Sequence, residues 1–167
     1  MVKNLNIADK PNLRVDASDA NIRVDTWDRN VIEARVTTKR YKIGEHGMKI
    51  DEHQNGDQVE LGLRFPHHVI TIQFGNYGVD IVIHMPRQGR MNLHTGDGSI
   101  EVGNFKGEMD LETGDGHQEI NSVDGTLKAR SGDGRIIASG RFDGLRLDTG
   151  DGRIEARVQT GSTMASS

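Results

Sequence analysis

MNLHTGDGSIEV (91–102) recurs three more times along the chain, as MDLETGDGHQEI (109–120), LKARSGDGRIIA (127–138) and LRLDTGDGRIEA (145–156). Each version contains a Gly-Asp-Gly triplet, and the triplets begin at Gly96, Gly114, Gly132 and Gly150. The step is therefore eighteen residues without drift. Similarity at a fixed period of this length is typical of repeat architectures, in which each unit is stabilised by its neighbours.

Apolar residues alternate with polar ones on both sides of each triplet, which predicts two short strands per unit. Gln118 replaces one apolar residue in the second unit. The apolar places are Met91, Leu93, Ile100 and Val102 in the first unit, Met109, Leu111 and Ile120 in the second, Leu127, Ala129, Ile136 and Ala138 in the third, and Leu145, Leu147, Ile154 and Ala156 in the fourth.

These features predict an all-β, right-handed parallel β-solenoid with eighteen-residue coils stacked at ~4.8 Å. Each coil has a Gly-Asp-Gly corner and a second corner, FKG, VDG or FDG, with Phe105, Val123 or Phe142 tucked beneath it. We expect the corner glycines to serve positive φ angles and the close passage of neighbouring coils.

The outward places support the same register. When the units are stacked, Glu112, Arg130 and Asp148 alternate in charge, and Asp110 faces Lys128. Exposed pairs of this kind contribute only ~0 to 1 kcal/mol each, but they disfavour a shifted register.

The first ninety residues show the same pattern in divergent form. LRVDASDANIRV (13–24) resembles one unit, and we expect it, with the strand VIEARV (31–36), to form the first coil and its cap. Asn55-Gly56 predicts a hairpin within residues 48–66. Two further strands are predicted at HHVITIQF (67–74) and VDIVIHMP (79–86). We therefore predict one domain over 1–158, irregular and partly antiparallel at 13–90 and regular at 91–158, with a polar tail at 159–167.

Composition excludes several classes of function. The net charge of −4, with both signs interspersed, and 4% aromatic residues argue against a nucleic-acid partner. No apolar run approaches the ~20 residues of a membrane span. The amino terminus lacks a signal-peptide pattern, which by itself leaves the compartment open. We expect the cell surface or export if a leader or anchor lies outside the given sequence, and the cytoplasm otherwise.

The chain resembles the bacterial putative-adhesin family of unknown function. LRVDASDANIRVDTWDR (13–29) together with LHTGDGSIEV (93–102), LETGDGHQEI (111–120) and LDTGDGRIEA (147–156) carries this resemblance, which covers roughly residues 13–158. It implies a β-solenoid, often exported or tethered to a membrane, with no established catalytic residues.

Two kinds of metal site deserve consideration. Stacked corners would place Asp97, Asp115, Asp133 and Asp151 in one column, either as calcium ligands of a β-roll or as ordinary turn aspartates. The second corner lacks the glycine-rich turn of calcium-binding β-rolls, which favours ordinary turns and no cofactor. Histidines at 67, 68, 84 and 94 have no metal-site spacing, and adjacent strand residues point to opposite faces.

The last coil leaves its apolar residues Leu145, Leu147, Ile154 and Ala156 without a following unit. We expect either the tail to fold over this end or two molecules to stack there as a homodimer. The favoured function is a non-catalytic structural or interaction module that presents stacked polar faces to a protein or a glycan. The alternatives are a calcium-binding β-roll and a glycan-active β-helix enzyme.

Overall fold

The computed structural model describes residues 1–39, 48–64 and 78–159. Within these ranges the chain is all-β, with thirteen strands and no helix. The predicted strand at 67–74 and residues 160–167 of the predicted tail lie outside the described residues. The strands are β1 (Val2–Asn6), β2 (Asn12–Ala17), β3 (Asn21–Trp27), β4 (Val31–Thr38), β5 (Lys49–Asn55), β6 (Gln58–Arg64), β7 (Val79–Pro86), β8 (Gln88–Thr95), β9 (Ile100–Gly103), β10 (Lys106–Thr113), β11 (Gln118–Ser131), β12 (Ile136–Thr149) and β13 (Ile154–Val158).

All thirteen strands belong to one mixed sheet, whose hydrogen bonds follow two series. The first series, called here the cleft face, runs β5-β6-β2-β8-β10 and continues into residues 123–131 of β11 and 141–149 of β12. The second, called the opposite face, runs β1-β4-β7-β3-β9 and continues into residues 118–121 of β11, 136–140 of β12, and β13. Because β11 and β12 each contribute to both series, they join the two faces at one end of the molecule.

The predicted eighteen-residue step is confirmed by the pairing register. Leu93 pairs with Leu111, Leu111 with Ala129, and Ala129 with Leu147, all between parallel strands. The inward residues of this row are buried until the last strand, where Leu147 is only partly covered. The aliphatic side chains of successive units therefore form one internal row.

The position predicted for the first unit is wrong. Strands β2 and β3 do not lie at an end, because β2 pairs in parallel with both β6 and β8, and β3 with both β7 and β9. Residues 12–27 are thus inserted between strands that follow them in sequence. The same alternation of apolar residues satisfies a parallel neighbour on either side, so Leu13 packs in register with both Val59 and Met91.

The amino-terminal part is partly antiparallel, as predicted. Strand β4 lies antiparallel to β1 and β7, and β5 and β6 form the hairpin at Asn55-Gly56, where Gly56 has φ of 59°. The sheet is nearly closed on itself at this end, because β1 and β5 are linked across its two edges. Lys3 Nζ lies 3.0 Å from Glu52 Oε2, and Gln54 Nε2 donates to the carbonyl oxygen of Asn6 at 2.8 Å.

The Gly-Asp-Gly corners require glycine because neighbouring units pass very close to each other. A Cβ atom built on Gly116 would overlap the carbonyl oxygen of Gly98, and one built on Gly134 would overlap that of Gly116. The prediction that these glycines adopt positive φ is wrong. Positive φ occurs instead near the second corner, at Asn104 (55°) and Ser122 (56°), and at the glycines 107, 125 and 140.

A column of hydroxyl groups, which was not among the predicted features, fixes the Gly-Asp-Gly corners. Thr113 Oγ1 donates to the carbonyl oxygen of Gly116 at 2.9 Å, and Ser131 Oγ accepts from the amide of Gly134 at 2.9 Å. Thr149 repeats the second of these bonds with Gly152 at 3.1 Å. The signal was present in the sequence, because every triplet is preceded by Thr or Ser.

The core is one cluster formed by the inward side chains of both faces. Phe105 and Val123 are buried beneath the second corner as predicted, whereas Phe142 is only partly buried. The pairing of β11 with β12 shifts between Ile120 and Val123 and again between Gly125 and Thr126, so that Phe142 pairs with Gly125. This irregularity displaces Phe142 from the place of its counterparts.

Candidate binding surface

The cleft face presents two rows of outward residues, one side chain per strand. In each row, one residue from each of six neighbouring strands pairs in register with the next. Gly62, in the second row, is the only member without a side chain. The first row consists of Glu60, Arg14, Asn92, Asp110, Lys128 and Arg146, and the second of Gly62, Asp16, His94, Glu112, Arg130 and Asp148.

Charges of opposite sign meet along these rows. Arg130 lies 2.8 Å from Glu112 and Lys128 lies 3.8 Å from Asp110, as the sequence predicted, and Arg130 also lies 3.7 Å from Asp110. Asp148 instead pairs with Arg146 of its own strand at 2.8 Å. These side chains are substantially exposed, so each pair stabilises the fold only weakly but helps to fix the register.

A cleft of about 610 Å³ opens at the end of these rows that lies farthest from β12. Strand β5 forms one wall, and its residues Asp51, Glu52 and His53 line the cleft together with Arg14 and Asp16 of β2. Gly62 lies in the lining between Asp51 and Asp16, its register partners on either side. Because Gly62 has no side chain, the row is interrupted there and the surface becomes concave.

A second depression of about 360 Å³ adjoins the cleft and shares Arg14 and Asp16 with it. Its other lining groups include Asn92 and His94, and His94 Nδ1 lies 3.1 Å from Asp16 Oδ1. Together the two depressions contain guanidinium, carboxylate, amide and imidazole groups with exposed hydrogen-bonding atoms. Such groups accept and donate bonds to hydroxyl-rich or charged ligands.

This cleft was not predictable from a motif in the sequence. Its lining comes from residues 14–18, 51–53 and 60–64, which are far apart in the sequence and show no shared motif. The only local signal was Gly62 within the alternating strand VELGLR, since a glycine inside a strand marks a bulge or a closely approached backbone.

The Trp27-Asp28-Arg29 segment fixes the corner between β3 and β4. Trp27 Nε1 donates to the carbonyl oxygen of Val31 at 2.8 Å, and its ring stacks on His84 with centroids 5.2 Å apart. The Arg29 guanidinium lies 5.0 Å from the Trp27 ring centroid, and Arg87 donates two bonds to the carboxylate of Asp28 at 2.7 and 3.3 Å. These contacts explain the segment as a structural element.

The predicted aspartate column is present as geometry. Asp97, Asp115, Asp133 and Asp151 are exposed at equivalent corners. A fifth member, Asp19, lies beside them, because its Oδ1 accepts from the Asp97 amide at 3.3 Å. Among residues 1–39, 48–64 and 78–159, no three histidines, cysteines or acidic residues are grouped so as to hold a metal ion.

The histidines do not form a common site where the structure describes them. His84 stacks on Trp27 on the opposite face, whereas His94 pairs with Asp16 on the cleft face. His67 and His68 lie outside the described residues.

Two exposed arginines have raised pKa values. Hydrogen bonding to Asp148 and the charge of that carboxylate raise the pKa of Arg146, and Asp25 acts on Arg23 in the same way with help from Glu101.

The predicted interaction residues lie together on the last unit. Leu145 and Ile154 keep 37% and 40% of their surface exposed, Ala156 is also exposed, and Leu147 packs partly against the core. Their partners one unit earlier, Leu127, Ile136, Ala138 and Ala129, are all buried. Exposure of the four residues results from the absence of a further strand beyond β12 and β13 among the described residues.

The part of the chain that the structure describes has no helix that would be long and apolar enough to cross a membrane. No protein-family model matches the chain, and no curated protein matches it.

Solved structures provide the informative comparison. A putative cell adhesion protein from Clostridium sporogenes ATCC 15579 is 11% identical, with a TM-score of 0.63 over 95% of this chain and 98% of that one. A putative adhesin from Bacteroides fragilis NCTC 9343 matches at 9% identity and a TM-score of 0.32, covering 95% of this chain and 96% of its own. A putative lipid binding protein from Parabacteroides distasonis ATCC 8503 matches at 9% identity and 0.30, covering 93% and 96%. The chain therefore shares its fold with the Clostridium protein, and at this identity the likeness establishes the fold alone.

Proposed function

We propose that the chain is a non-catalytic, adhesin-like binding module that holds a glycan in the cleft bounded by β5, β6 and β2. The observation behind this proposal is the cleft itself, a concavity of about 610 Å³ on the sheet that is lined largely by polar side chains. Binding sites for small molecules usually enclose roughly 300 to 1,000 Å³, which is the range of this cleft. The fold shared with a putative cell adhesion protein supports the same assignment.

A glycan suits this cleft better than a protein partner. Its lining includes the charged residues Arg14, Asp16, Asp51, Glu60 and Arg64 and no phenylalanine, tyrosine or tryptophan. The centres of protein–protein interfaces are enriched in aromatic residues and depleted in charged ones. Sugar hydroxyl groups, in contrast, donate to carboxylates and accept from guanidinium groups, so this lining matches their chemistry.

The exposure of Asp16, the carboxylate shared by both depressions, favours binding over catalysis. A carboxyl group that acts as a general acid near neutral pH relies on burial or on a close like charge. The Asp16 side chain is 60% exposed, and its close partner is His94. The glycan-active enzyme is therefore the less favoured alternative.

We also infer that the parallel units wind as a right-handed β-solenoid. Connections between parallel strands of one sheet are right-handed in about 98% of cases. The parallel units of residues 88–158 are such connections, each linking strands eighteen residues apart. A crystal structure with left-handed connections would refute this inference.

A role at the cell surface completes the proposal and is supported by the resemblance to adhesins. Antibody labelling of intact cells, with permeabilised cells as the control, tests this location. Labelling only after permeabilisation would contradict it.

The glycan proposal is tested on a glycan microarray, followed by calorimetric titration of the strongest ligand. Gly62→Gln should abolish binding because the new side chain fills the floor of the cleft. The fold should tolerate the change, since the atoms nearest to a Cβ built on Gly62 belong to Asp51 and lie at ordinary contact distance. Gly103→Gln is the matched control, since Gly103 has nothing within 4 Å of a built Cβ and lies on the opposite face. Control binding should equal that of the unchanged chain.

Three results would count against the proposal. The protein could bind no glycan on the array above background, the Gly62→Gln variant could bind the glycan normally, or a bound oligosaccharide could be shortened during prolonged incubation. The first two contradict the glycan site, and the third contradicts its non-catalytic character. Mass spectrometry of the recovered oligosaccharide gives the third readout.

A further inference from the structure

The last unit, residues 141–158, ends in two strand edges that no other described strand covers. Among residues 1–39, 48–64 and 78–159, residues 141–149 of β12 pair only with β11, and β13 pairs only with β12. Leu145, Ile154 and Val158 are exposed there by 37%, 40% and 51%. An exposed apolar edge of this kind is a template for another strand.

We propose that two copies of the chain associate head to head through this unit, with β12 and β13 each pairing antiparallel with its own counterpart. The two copies would be related by a single two-fold axis. The apolar core would then continue from one molecule into the next. This inference does not depend on the proposed glycan site.

The charges of the edge strands complement themselves under that symmetry. In an antiparallel pair centred on one residue, the residue before the centre faces the residue after it in the partner strand. Arg146 and Asp148 flank Leu147 on β12, so each arginine would face the aspartate of the other copy. Glu155 and Arg157 flank Ala156 on β13 and would pair in the same way.

The exposed apolar residues fit the same centres. With Ala156 on the axis, Ile154 of one copy faces Val158 of the other, so the two exposed large hydrophobic side chains of β13 become covered. With Leu147 on the axis, Leu145 faces Thr149. Charge pairing and apolar burial thus select one register on each strand.

One axis serves both strands. Thr149, Leu147 and Leu145 are the first, second and third inward residues before the corner, and Ile154, Ala156 and Val158 are the first, second and third after it. Leu147 and Ala156 therefore occupy equivalent places on the two faces. An axis through both residues closes a symmetric dimer, as isologous interfaces require.

A second copy explains these features better than another occupant. Self-complementarity about a centre on both strands is a requirement of a two-fold interface and of no other partner. The axis also keeps the two cleft faces on the same side of the dimer. Six strand spacings of ~4.8 Å lie on each side, so the clefts would be on the order of 50 Å apart and available to one multivalent ligand.

Charge reversal and its rescue test the proposal by sedimentation velocity over a concentration series. Arg146→Asp leaves two acidic residues on the edge, and Asp148→Arg leaves two basic ones, so each variant places like charges across the axis twice. We expect the unchanged chain to dimerise, and each variant to weaken dimerisation about tenfold or more. An equimolar mixture of the two variants should restore the dimer, and so should the double swap Arg146→Asp/Asp148→Arg.

Each alternative outcome is decisive. A concentration-independent monomer for the unchanged chain would overturn the proposal, and so would a dimer that neither variant weakens or that the mixture fails to restore. A chain that ends after Gln159 tests the other possible occupant of this edge, which is the carboxyl-terminal segment of the same chain. If only the shortened chain dimerises, the carboxyl-terminal residues cover this end and the second copy does not. Circular dichroism of every variant confirms that folding is unchanged.

Discussion

Replacing Leu111 by alanine tests whether the units are stacked through their inward side chains. Leu111 is fully buried between Leu93 and Ala129 of the neighbouring units. The change removes about three buried carbon atoms at ~0.8 kcal/mol each and leaves a cavity, so we expect a loss of about 3 kcal/mol. For a chain of this size the loss lowers the melting temperature by about 6 to 12 °C.

Leu145→Ala is the matched control, because Leu145 is a leucine of the same strand series with 37% of its surface exposed. Because more than a third of its surface is already exposed, it should cost about 1.5 kcal/mol when measured at dilutions that keep the chain monomeric. Denaturant unfolding followed by circular dichroism gives both values. Equal losses for the two variants would refute the idea that one unit covers the next, since a scattered arrangement would bury neither leucine preferentially.

Three further predictions follow from the corners and their column of aspartates. Gly116→Ala should destabilise the fold by more than about 2 kcal/mol in denaturant unfolding, because its Cβ would overlap the Gly98 carbonyl oxygen. The control Gly103→Ala should cost little, and similar values for the two variants would contradict the close passage of units. Thr113→Val removes a buried hydroxyl that is hydrogen-bonded to Gly116, Ser131 and Gln118, and it should lower the free energy of unfolding by about 1 to 3 kcal/mol. Thr126→Val, at an exposed position, is the control, and no change for Thr113→Val would show that the hydroxyl column is dispensable. Millimolar calcium should leave the melting temperature unchanged, because the described residues offer no grouped set of metal ligands, and a rise that chelation reverses would restore the calcium-binding alternative.

The regular units were predictable because their sequence repeats at one fixed step. Once the Gly-Asp-Gly triplets fix the register, every inward and outward place follows, including the Lys128–Asp110 and Arg130–Glu112 pairs. The places of the Gly-Asp-Gly glycines were predictable, but of the two reasons expected for them only the close passage of units holds, because none of them has a positive φ. Steric contact with the preceding unit requires them, and that contact is visible only when the units are stacked.

The order of the strands was not predictable from the alternation of apolar residues. Leu13 and Val15 fit equally well beside Val59 and Leu61 or beside Met91 and Leu93, and the fold uses both neighbours. A parallel strand with one inward face specifies how it pairs but not its place in the stack. The cleft was missed for the same reason, because its walls meet only after residues 12–27 are inserted beside β6.

The insertion of β2 between β6 and β8 is tested most directly by engineered disulfides in this cysteine-free chain. Arg14 and Asn92 are exposed register partners on adjacent strands, ~4.8 Å apart, within the range that a disulfide spans. Asp110 lies one strand farther, at ~10 Å from Arg14, which is too far. Oxidation followed by mass spectrometry should therefore show an intramolecular disulfide for the pair Arg14→Cys/Asn92→Cys and none for Arg14→Cys/Asp110→Cys. The opposite result would contradict the stacking order on which the cleft depends.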